Sequence, residues 1–298
     1  MKYAKPPLTI DEQVRLLLRR GMTGDPDLMA QRLTAVNYYR LSGYWYTFRD
    51  PDDTFKPGTT FDLVWNTYVF DRHLRLLVMD AIERVEVAVR SLIAYHHAHE
   101  HGAFAYALEP TSLPKLSPDQ FRKFVSHVAE ETERSKEPFV KHFRDKYGDS
   151  HTYLPVWMAT EVMSFGSVLT FFRSSGSRVK QAVANEFGVP HRVFGSWLLA
   201  LNTIRNAVAH HARLWNRELG VRPIVPSASR YPDWHAPVEV ENNRVFAILT
   251  ICRHCLSQIA PQSQWMARLE ALFARFPTVP PAYMGIPANW KECPIWRA

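Results

Sequence analysis

Apolar residues recur every three or four positions along most of the chain, which is the spacing of a buried face on an α-helix. Proline interrupts helices, and it is absent from four long windows: residues 58–109, 156–189, 191–222 and 238–260. Stretches of strict alternation between apolar and polar residues, the pattern of a strand, are short and rare. The sequence therefore predicts an all-α fold.

The clearest single element is a long helix from about residue 61 to beyond residue 92, which Thr59 or Thr60 can cap. Its apolar and charged positions form separate stripes, so that one face of the helix is predicted to be buried and another to be polar. The predicted buried stripe contains Leu63, Phe70, Leu74, Leu77, Ala81, Val85, Ala88 and Leu92. The predicted polar stripe contains Arg72, Arg75, Glu83, Glu86 and Arg90.

Shorter helices are predicted on either side of this element. Thr9 and Glu12 have the spacing of a capping box, which predicts a helix from about residue 10. Further helices are expected around residues 121–132, in one piece over 155–172, and over 245–259, whereas 141–149 is expected to be a charged loop and 221–237 a proline-rich one. We therefore expect an N-terminal helical extension (1–57), a helical core (58–225), and a C-terminal helix with a Pro/Trp-rich tail that packs on the core (226–298).

Residues 36–49 are unusually rich in tyrosine and tryptophan. Aromatic side chains at this density can form a platform on which nucleic-acid bases stack. More often they pack one helix against the next, and we expect packing here.

The composition is 46% hydrophobic and 13% aromatic, enough for a core of ordinary size. A formal charge of +7 and a pI of about 9.3 favour polyanionic partners such as nucleic acid. Residues 1–8 carry no apolar run of the signal-peptide type, and no window approaches the ~20 apolar residues of a membrane span. These features, with only three cysteines, predict a soluble, cytoplasmic protein.

Cys252 and Cys255 have the C-x-x-C spacing of metal sites and redox dithiols. However, Cys252 falls on an apolar stripe at helical spacing, where a free cysteine is a common core residue. We expect core packing, and the sequence implies neither a metal nor another cofactor.

The most informative helix is predicted over residues 197–217. On a helical wheel, one face of it is apolar and the opposite face is polar with no acidic member. The apolar face contains Trp197, Leu201, Ile204, Val208, Ala212 and Trp215, and the polar face contains Asn202, Asn206, His210, Arg213 and Arg217. Arg205 lies on the flank between them, from where its long side chain can reach Asn206 and His210.

These residue types are suited to RNA cleavage, because RNA carries its own nucleophile, the 2′-hydroxyl. The reaction then needs a proton acceptor, a proton donor and a cation for the charged transition state. Histidine serves as acceptor and donor near neutral pH, and arginine is a permanent cation that can bind phosphate with two hydrogen bonds. Asn206, one turn before His210, can orient the imidazole or contact the phosphate.

Spacing alone does not decide this function. Arginine followed by histidine at similar spacing also occurs at Arg90/His96, Arg122/His127, Arg144/His151 and Arg230/His235. Arg205 differs because asparagine follows it directly and because His210 projects from the polar face, yet a solvated helix face explains both residues equally well. His211 falls beside Val208 and Trp215 on the wheel, and we expect it to be a packed or structural histidine.

Residues 205–210 (RNAVAH) resemble the R-N-x-x-x-H signature of HEPN ribonucleases, and most of the chain resembles abortive-infection (Abi) proteins of the AbiD and AbiF type. The matching stretches are residues 5–9 (KPPLT), 37–44 (NYYRLSGY), 70–77 (FDRHLRLL), 82–86 (IERVE) with Arg90, 154–157 (LPVW) and 163–166 (MSFG). Together these stretches are more specific than the six-residue motif.

The resemblance implies a HEPN-like helical bundle and an endoribonuclease that leaves a 2′,3′-cyclic phosphate without a metal. It also implies a composite site made by two motifs, and therefore a homodimer, because the chain carries only one convincing motif. Glu86 is the candidate for a polar partner of Arg205, although an ion pair with Arg90, four residues on, is an equal alternative. A noncoding RNA antitoxin is a further partner that the resemblance suggests.

Two other classes of function remain open. The fold could bind RNA or a partner protein without cutting, because HEPN domains without activity exist. A pure interaction or scaffold protein would neither bind nor cut RNA.

Overall fold

The structure is a computed structural model, and it describes residues 6–297. Lys5, the first of the residues on which the family resemblance rests, lies outside the described residues, as do the first residues considered for a signal peptide. Within the described part the chain forms helices and turns, with three isolated bridge pairs and no strand or sheet. The all-α prediction is confirmed.

The described residues contain thirteen α-helices and six short 3-10 helices. The α-helices are α1 (Ile10–Arg19), α2 (Pro26–Ala35), α3 (Tyr38–Trp45), α4 (Phe61–His101), α5 (Ala105–Leu108), α6 (Pro118–Arg134), α7 (Pro138–Tyr147), α8 (Val156–Val162), α9 (Phe165–Ser174), α10 (Ser177–Asn185), α11 (His191–Ala209), α12 (Val245–Ile259) and α13 (Trp265–Arg275). Three of the 3-10 helices lie in the Pro/Trp-rich tail, where Trp296 is buried, so that this tail contributes to the core.

The 41-residue helix α4 is the central element of the fold. Its start follows the sequence prediction, because the Thr60 hydroxyl accepts a hydrogen bond from the Leu63 amide at 3.0 Å. Eight other helices pack along α4: α3, α5, α8, α9, α10, α11, α12 and α13. A helix surrounded in this way buries more than one stripe, and two residues expected on its polar face, Arg75 and Glu86, are in fact buried.

Several boundaries differ from the sequence prediction. Residues 141–149 are not a loop, since most of them belong to α7, which buries Val140 and Phe143. The single helix expected over 155–172 is interrupted between α8 and α9 at Ser164, whose hydroxyl accepts a hydrogen bond from the Ser167 amide at 3.2 Å and so caps α9. The capping box of Thr9 and Glu12 at the start of α1 is confirmed.

One hydrophobic core joins residues from near the start of the described chain to its end. The predicted division at residues 57 and 225 stays a prediction. Cys252 is buried in α12 as expected, and this burial raises the pKa of its thiol to about 12. Within residues 6–297, no helix combines the length and apolar character needed to cross a membrane.

Candidate active site

The polar end of α11 differs from the predicted helix over residues 197–217, because α11 ends at Ala209 and His210 is its C-cap. The Ala212 amide donates to the Ala207 carbonyl at 2.8 Å and the His211 amide to the Val208 carbonyl at 2.9 Å. This pair of hydrogen bonds is a Schellman motif, which terminates a helix. Arg213 and Arg217 therefore lie beyond the helix, and their placement on its polar face by helical spacing was wrong.

His211 occupies the position of the Schellman motif that needs a left-handed backbone, with φ of 58°. Glycine is the usual residue there, so the sequence carried no signal for the end of the helix. The His211 side chain is exposed, so that of the two predicted alternatives, a packed or a structural histidine, packing beside Val208 and Trp215 was wrong. Its role in the fold is carried by its carbonyl oxygen, which accepts hydrogen bonds from Arg40 at 2.9 Å and from Arg75 at 3.4 Å.

Asp71 on α4 holds the chain that follows this turn. Its Oδ1 accepts hydrogen bonds from the amides of Leu214 at 3.0 Å and Trp215 at 2.6 Å, and its Oδ2 accepts from the Tyr44 hydroxyl at 2.7 Å and from Arg75 at 2.8 Å. Burial raises the pKa of the Asp71 carboxyl, and the hydrogen bonds from Tyr44, Trp215 and Leu214 and the Arg75 charge oppose this shift. The segment after α11 is thus fastened to α3 and α4 through one buried carboxylate.

Glu86 lies between two arginines. Its Oε1 accepts a hydrogen bond from Arg90, and its Oε2 is 3.9 Å from Arg205 Nε. Both partners considered from the sequence are therefore present. Arg90 also donates to the backbone carbonyl of Thr160 in α8, which holds its guanidinium in place beside Glu86.

Arg205 and His210 lie at different openings of the surface. The Arg205 side chain is 37% exposed, and its Nη1 donates to Asn206 Oδ1 at 3.4 Å. Arg205 borders a cleft of about 450 Å³, the Arg205 cleft, which is lined by Arg90, Glu131, Arg134, Ser135, Lys136, Glu137, Glu161, Val162, Met163, Ser164 and Arg205. The structure thus brings Arg205, Asn206 and Glu86 together, whereas His210, whose amide donates to the Asn206 carbonyl at 3.1 Å, is not among the residues that line this cleft.

His210 is exposed at the end of α11 and borders a second cleft of about 530 Å³, the His210 cleft. Its lining consists of Asn37, Tyr39, Arg40, Tyr44, His210, His211, Ala212 and Arg213. Arg213 thus lies near His210, although not by helical spacing. Arg217 is not part of this lining, and its Nη1 donates to the Arg213 carbonyl at 3.3 Å.

The family model described as Abi-like protein matches residues 31–216, well over half of the chain. The chain belongs to the Abi-like protein family. The match covers α3, α4 and the whole of α11 with the turn that follows it. Neither the curated proteins nor the solved structures contain a significant match. Membership of the Abi-like family indicates a role in abortive infection.

Two of the stretches on which the Abi-like resemblance rests meet around the end of α11. Residues 37–44 contribute Arg40 and Tyr44, and residues 70–77 contribute Asp71 and Arg75, all four of which hold the turn after His210. Sequence reasoning did not assign these residues to the site. The signal was available in the resemblance, since both stretches were among those that matched the family.

Proposed function

We propose that this Abi-like protein is a metal-independent endoribonuclease that acts as a toxin-type antiphage defence protein in abortive infection. The observation that carries the proposal is the motif of Arg205, Asn206 and His210 at an exposed helix end, with Arg205 held beside the buried carboxylate of Glu86. The RNA 2′-hydroxyl is the nucleophile, and the products carry 2′,3′-cyclic phosphates.

Each residue of the motif has a distinct role in the proposed reaction. His210 accepts or donates the proton, and its exposure at the end of α11 leaves the imidazole open to a substrate. Arg205 stabilises the charged phosphate, Asn206 contacts the Arg205 guanidinium through its Oδ1, and Glu86 positions Arg205. Arg213 and Arg217 bind the RNA backbone nearby.

The proposed active form is a homodimer with a composite site. In-line cleavage needs a base on one side of the phosphate and an acid on the other, and the motif of one chain supplies a single histidine, His210, for both roles. A two-fold axis brings each residue near its symmetry mate, and so supplies two copies of His210 and Arg205 to one site. The proposal also includes a cytoplasmic location and a noncoding RNA antitoxin as the restraint.

A second candidate function is RNA or protein binding without cleavage. The observation that favours it is the separation of Arg205 and His210 into two clefts within one chain. A binder needs no convergence of the two side chains, whereas a nuclease does.

The deciding experiment incubates purified protein with end-labelled RNA in excess EDTA and analyses the product ends. We expect cleavage with 2′,3′-cyclic phosphate ends, and loss of cleavage in Arg205→Ala and His210→Ala. Arg122→Ala and His142→Ala are matched controls, because both residues are exposed and neither lines the Arg205 cleft or the His210 cleft. A gel shift without product would favour the binder, and cleavage by His210→Ala at the wild-type rate would refute the catalytic assignment.

A further inference from the structure

The aromatic residues of α3 have two different environments. Tyr44 and Trp45 are buried, and Tyr38 packs edge-on against Trp45 with ring centroids 4.9 Å apart. The expectation that this segment packs helix against helix is correct for Tyr44, whose ring lies edge-on against Tyr68 of α4 with centroids 5.5 Å apart. Tyr39 differs from the other aromatic residues of α3, because it is 85% exposed.

Tyr39 is held beside the end of α11 by its neighbours in sequence. Asn37 caps α3, and its Oδ1 accepts a hydrogen bond from the Tyr39 amide at 2.7 Å. Arg40, the next residue, donates from Nη1 to the His211 carbonyl at 2.9 Å. These contacts place an exposed aromatic ring and the histidine of the motif on the lining of the same cleft.

The charge of the His210 cleft selects for a negatively charged occupant. Arg40 and Arg213 both line it, together with His210 and His211, and among residues 6–297 no aspartate or glutamate belongs to this lining. Arg40 uses one N–H group for His211, and its guanidinium carries further donors for another acceptor. The Arg205 cleft differs in this respect, because Glu131, Glu137 and Glu161 line it.

We propose that the His210 cleft binds one unpaired nucleotide of single-stranded RNA, with its base stacked on Tyr39 and its phosphate held by Arg40 and Arg213. This inference rests on the proposed function and specifies its substrate class. The volume of about 530 Å³ falls within the ~300–1,000 Å³ typical of small-molecule sites. Bases in a duplex stack on each other and have no free face, so that stacking on Tyr39 requires an unpaired base.

The first test measures binding of a fluorescent single-stranded RNA by anisotropy, with every protein in a His210→Ala background to prevent cleavage. Tyr39→Ala is expected to weaken binding roughly tenfold, the scale of one base–aromatic stack, and Tyr39→Phe to leave it unchanged. Tyr46→Ala is the matched control, because Tyr46 follows the same helix and is 69% exposed but lies outside the lining of the His210 cleft. A fully paired duplex should bind equally to the Tyr39 and Tyr39→Ala proteins.

The second test identifies the RNA base that stacks on the Tyr39 ring. Single abasic sites are placed at each position of the RNA in turn, and the affinity is measured for the Tyr39 and Tyr39→Ala proteins. One position is expected to lose about tenfold in affinity with Tyr39 and nothing with Tyr39→Ala, a coupling that a structural role of Tyr39 would not produce.

The outcomes separate this inference from the proposed function. Binding that depends on Tyr39, in a chain that does not cleave RNA, would support the nucleotide site and refute the nuclease. Cleavage by the wild-type chain, with RNA affinity equal in Tyr39→Ala and Tyr46→Ala, would refute the nucleotide site alone. Absence of RNA binding would refute this inference and assign the cleft to another occupant, such as an acidic protein surface.

Discussion

At Glu86, two arginines share one buried carboxylate. Arg90 is held by its hydrogen bond to α8, whereas Arg205 is more exposed and approaches Glu86 only to 3.9 Å. The ion pair with Arg90 therefore fixes the position of the Glu86 carboxylate. The other carboxylate oxygen, Oε2, then limits the orientations that the Arg205 guanidinium can adopt. In the proposed reaction Glu86 would act on the motif through Arg205, as a positioning residue.

Glu86→Gln is expected to lower kcat for RNA cleavage roughly tenfold with little change in KM, because Arg205 loses the charge that positions it. The same change should cost about 1.5–3 kcal/mol of unfolding free energy, the scale of a hydrogen bond to a charged group. Steady-state kinetics and denaturant unfolding measure the two effects. Glu83→Gln, at an exposed site on the same helix, should change neither. A loss of stability with unchanged kcat would leave Glu86 a purely structural residue.

His97 is a second residue whose environment leads to a testable prediction, here for the pH dependence of stability. It is fully buried on α4, and neither ring nitrogen has a hydrogen-bond partner among the described residues. Its ring packs edge-on against Phe171, with centroids 4.8 Å apart. Burial, and to a lesser extent nearby His101, lowers the pKa of His97 to about 4.

The stability of the protein should therefore fall as the pH drops from about 6.5 to 4. In this window the unfolded chain protonates His97 and the folded chain does not, which favours unfolding, whereas the contribution is fully retained above pH 6.5. The full effect is about 3 kcal/mol, at ~1.4 kcal/mol per unit of pKa. Urea unfolding across this range should show a shallower pH slope in His97→Phe, but not in His99→Phe, whose histidine is exposed. Equal slopes in all three proteins would contradict the prediction.

At the scale of elements, the end of α11 is held by α3 and α4. The Asp71–Arg75 pair is buried, and it hydrogen-bonds to the backbone of residues 211–215. A buried charge that loses its partner is costly, because neither water nor another group compensates it. The position of His210 therefore depends on an ion pair that is remote in sequence.

Asp71→Asn should destabilise the protein by about 3–5 kcal/mol, the range for breaking one side of a buried ion pair. Asp80→Asn is the matched control, since Asp80 lies on the same helix and pairs with Arg84 and Arg268 at partly exposed positions. Partly exposed pairs of this kind contribute at most ~1 kcal/mol. Denaturant unfolding of both variants measures the difference. Equal losses in the two variants would show that Asp71 does not fasten the turn.

At the scale of the whole molecule, the motif residues Arg205 and His210 border two different clefts. Arg205 borders one and His210 the other, although only one and a half helical turns separate them. A second chain arranged about a two-fold axis could place its own motif against this one. The homodimer is thus the arrangement that would complete the proposed site.

Mixing His210→Ala chains with wild-type chains tests this arrangement. If chains exchange freely and both histidines are essential, activity should fall as the square of the wild-type fraction, because mixed dimers are inactive. Cleavage rate is measured against the mixing ratio, with exchange followed by differently labelled chains. A linear loss despite exchange, or full activity from a proven monomer, would refute the composite site.

The sequence alone determined the features of this protein that depend on neighbouring residues. The residues 245–259 predicted for α12 are those observed, and the starts of α1 and α4 follow from the capping threonines Thr9 and Thr60. Helix caps and periodic apolar positions involve residues that lie within one or two helical turns of each other. They can therefore be recognised from the sequence alone. The candidate motif could also be found from the sequence alone, because Arg205, Asn206 and His210 lie within six consecutive residues.

Only the tertiary structure decided where α11 ends and what surrounds His210. No glycine or proline marks the turn at His211, and the Leu214 amide reaches its acceptor, Asp71, across 143 positions of the sequence. The burial of Arg75 and Glu86 likewise depends on helices that pack on α4 from several sides. Hydrogen bonds between residues remote in sequence produce no periodic pattern of residue types along the chain. Only the folded structure therefore shows which charged groups contact each other.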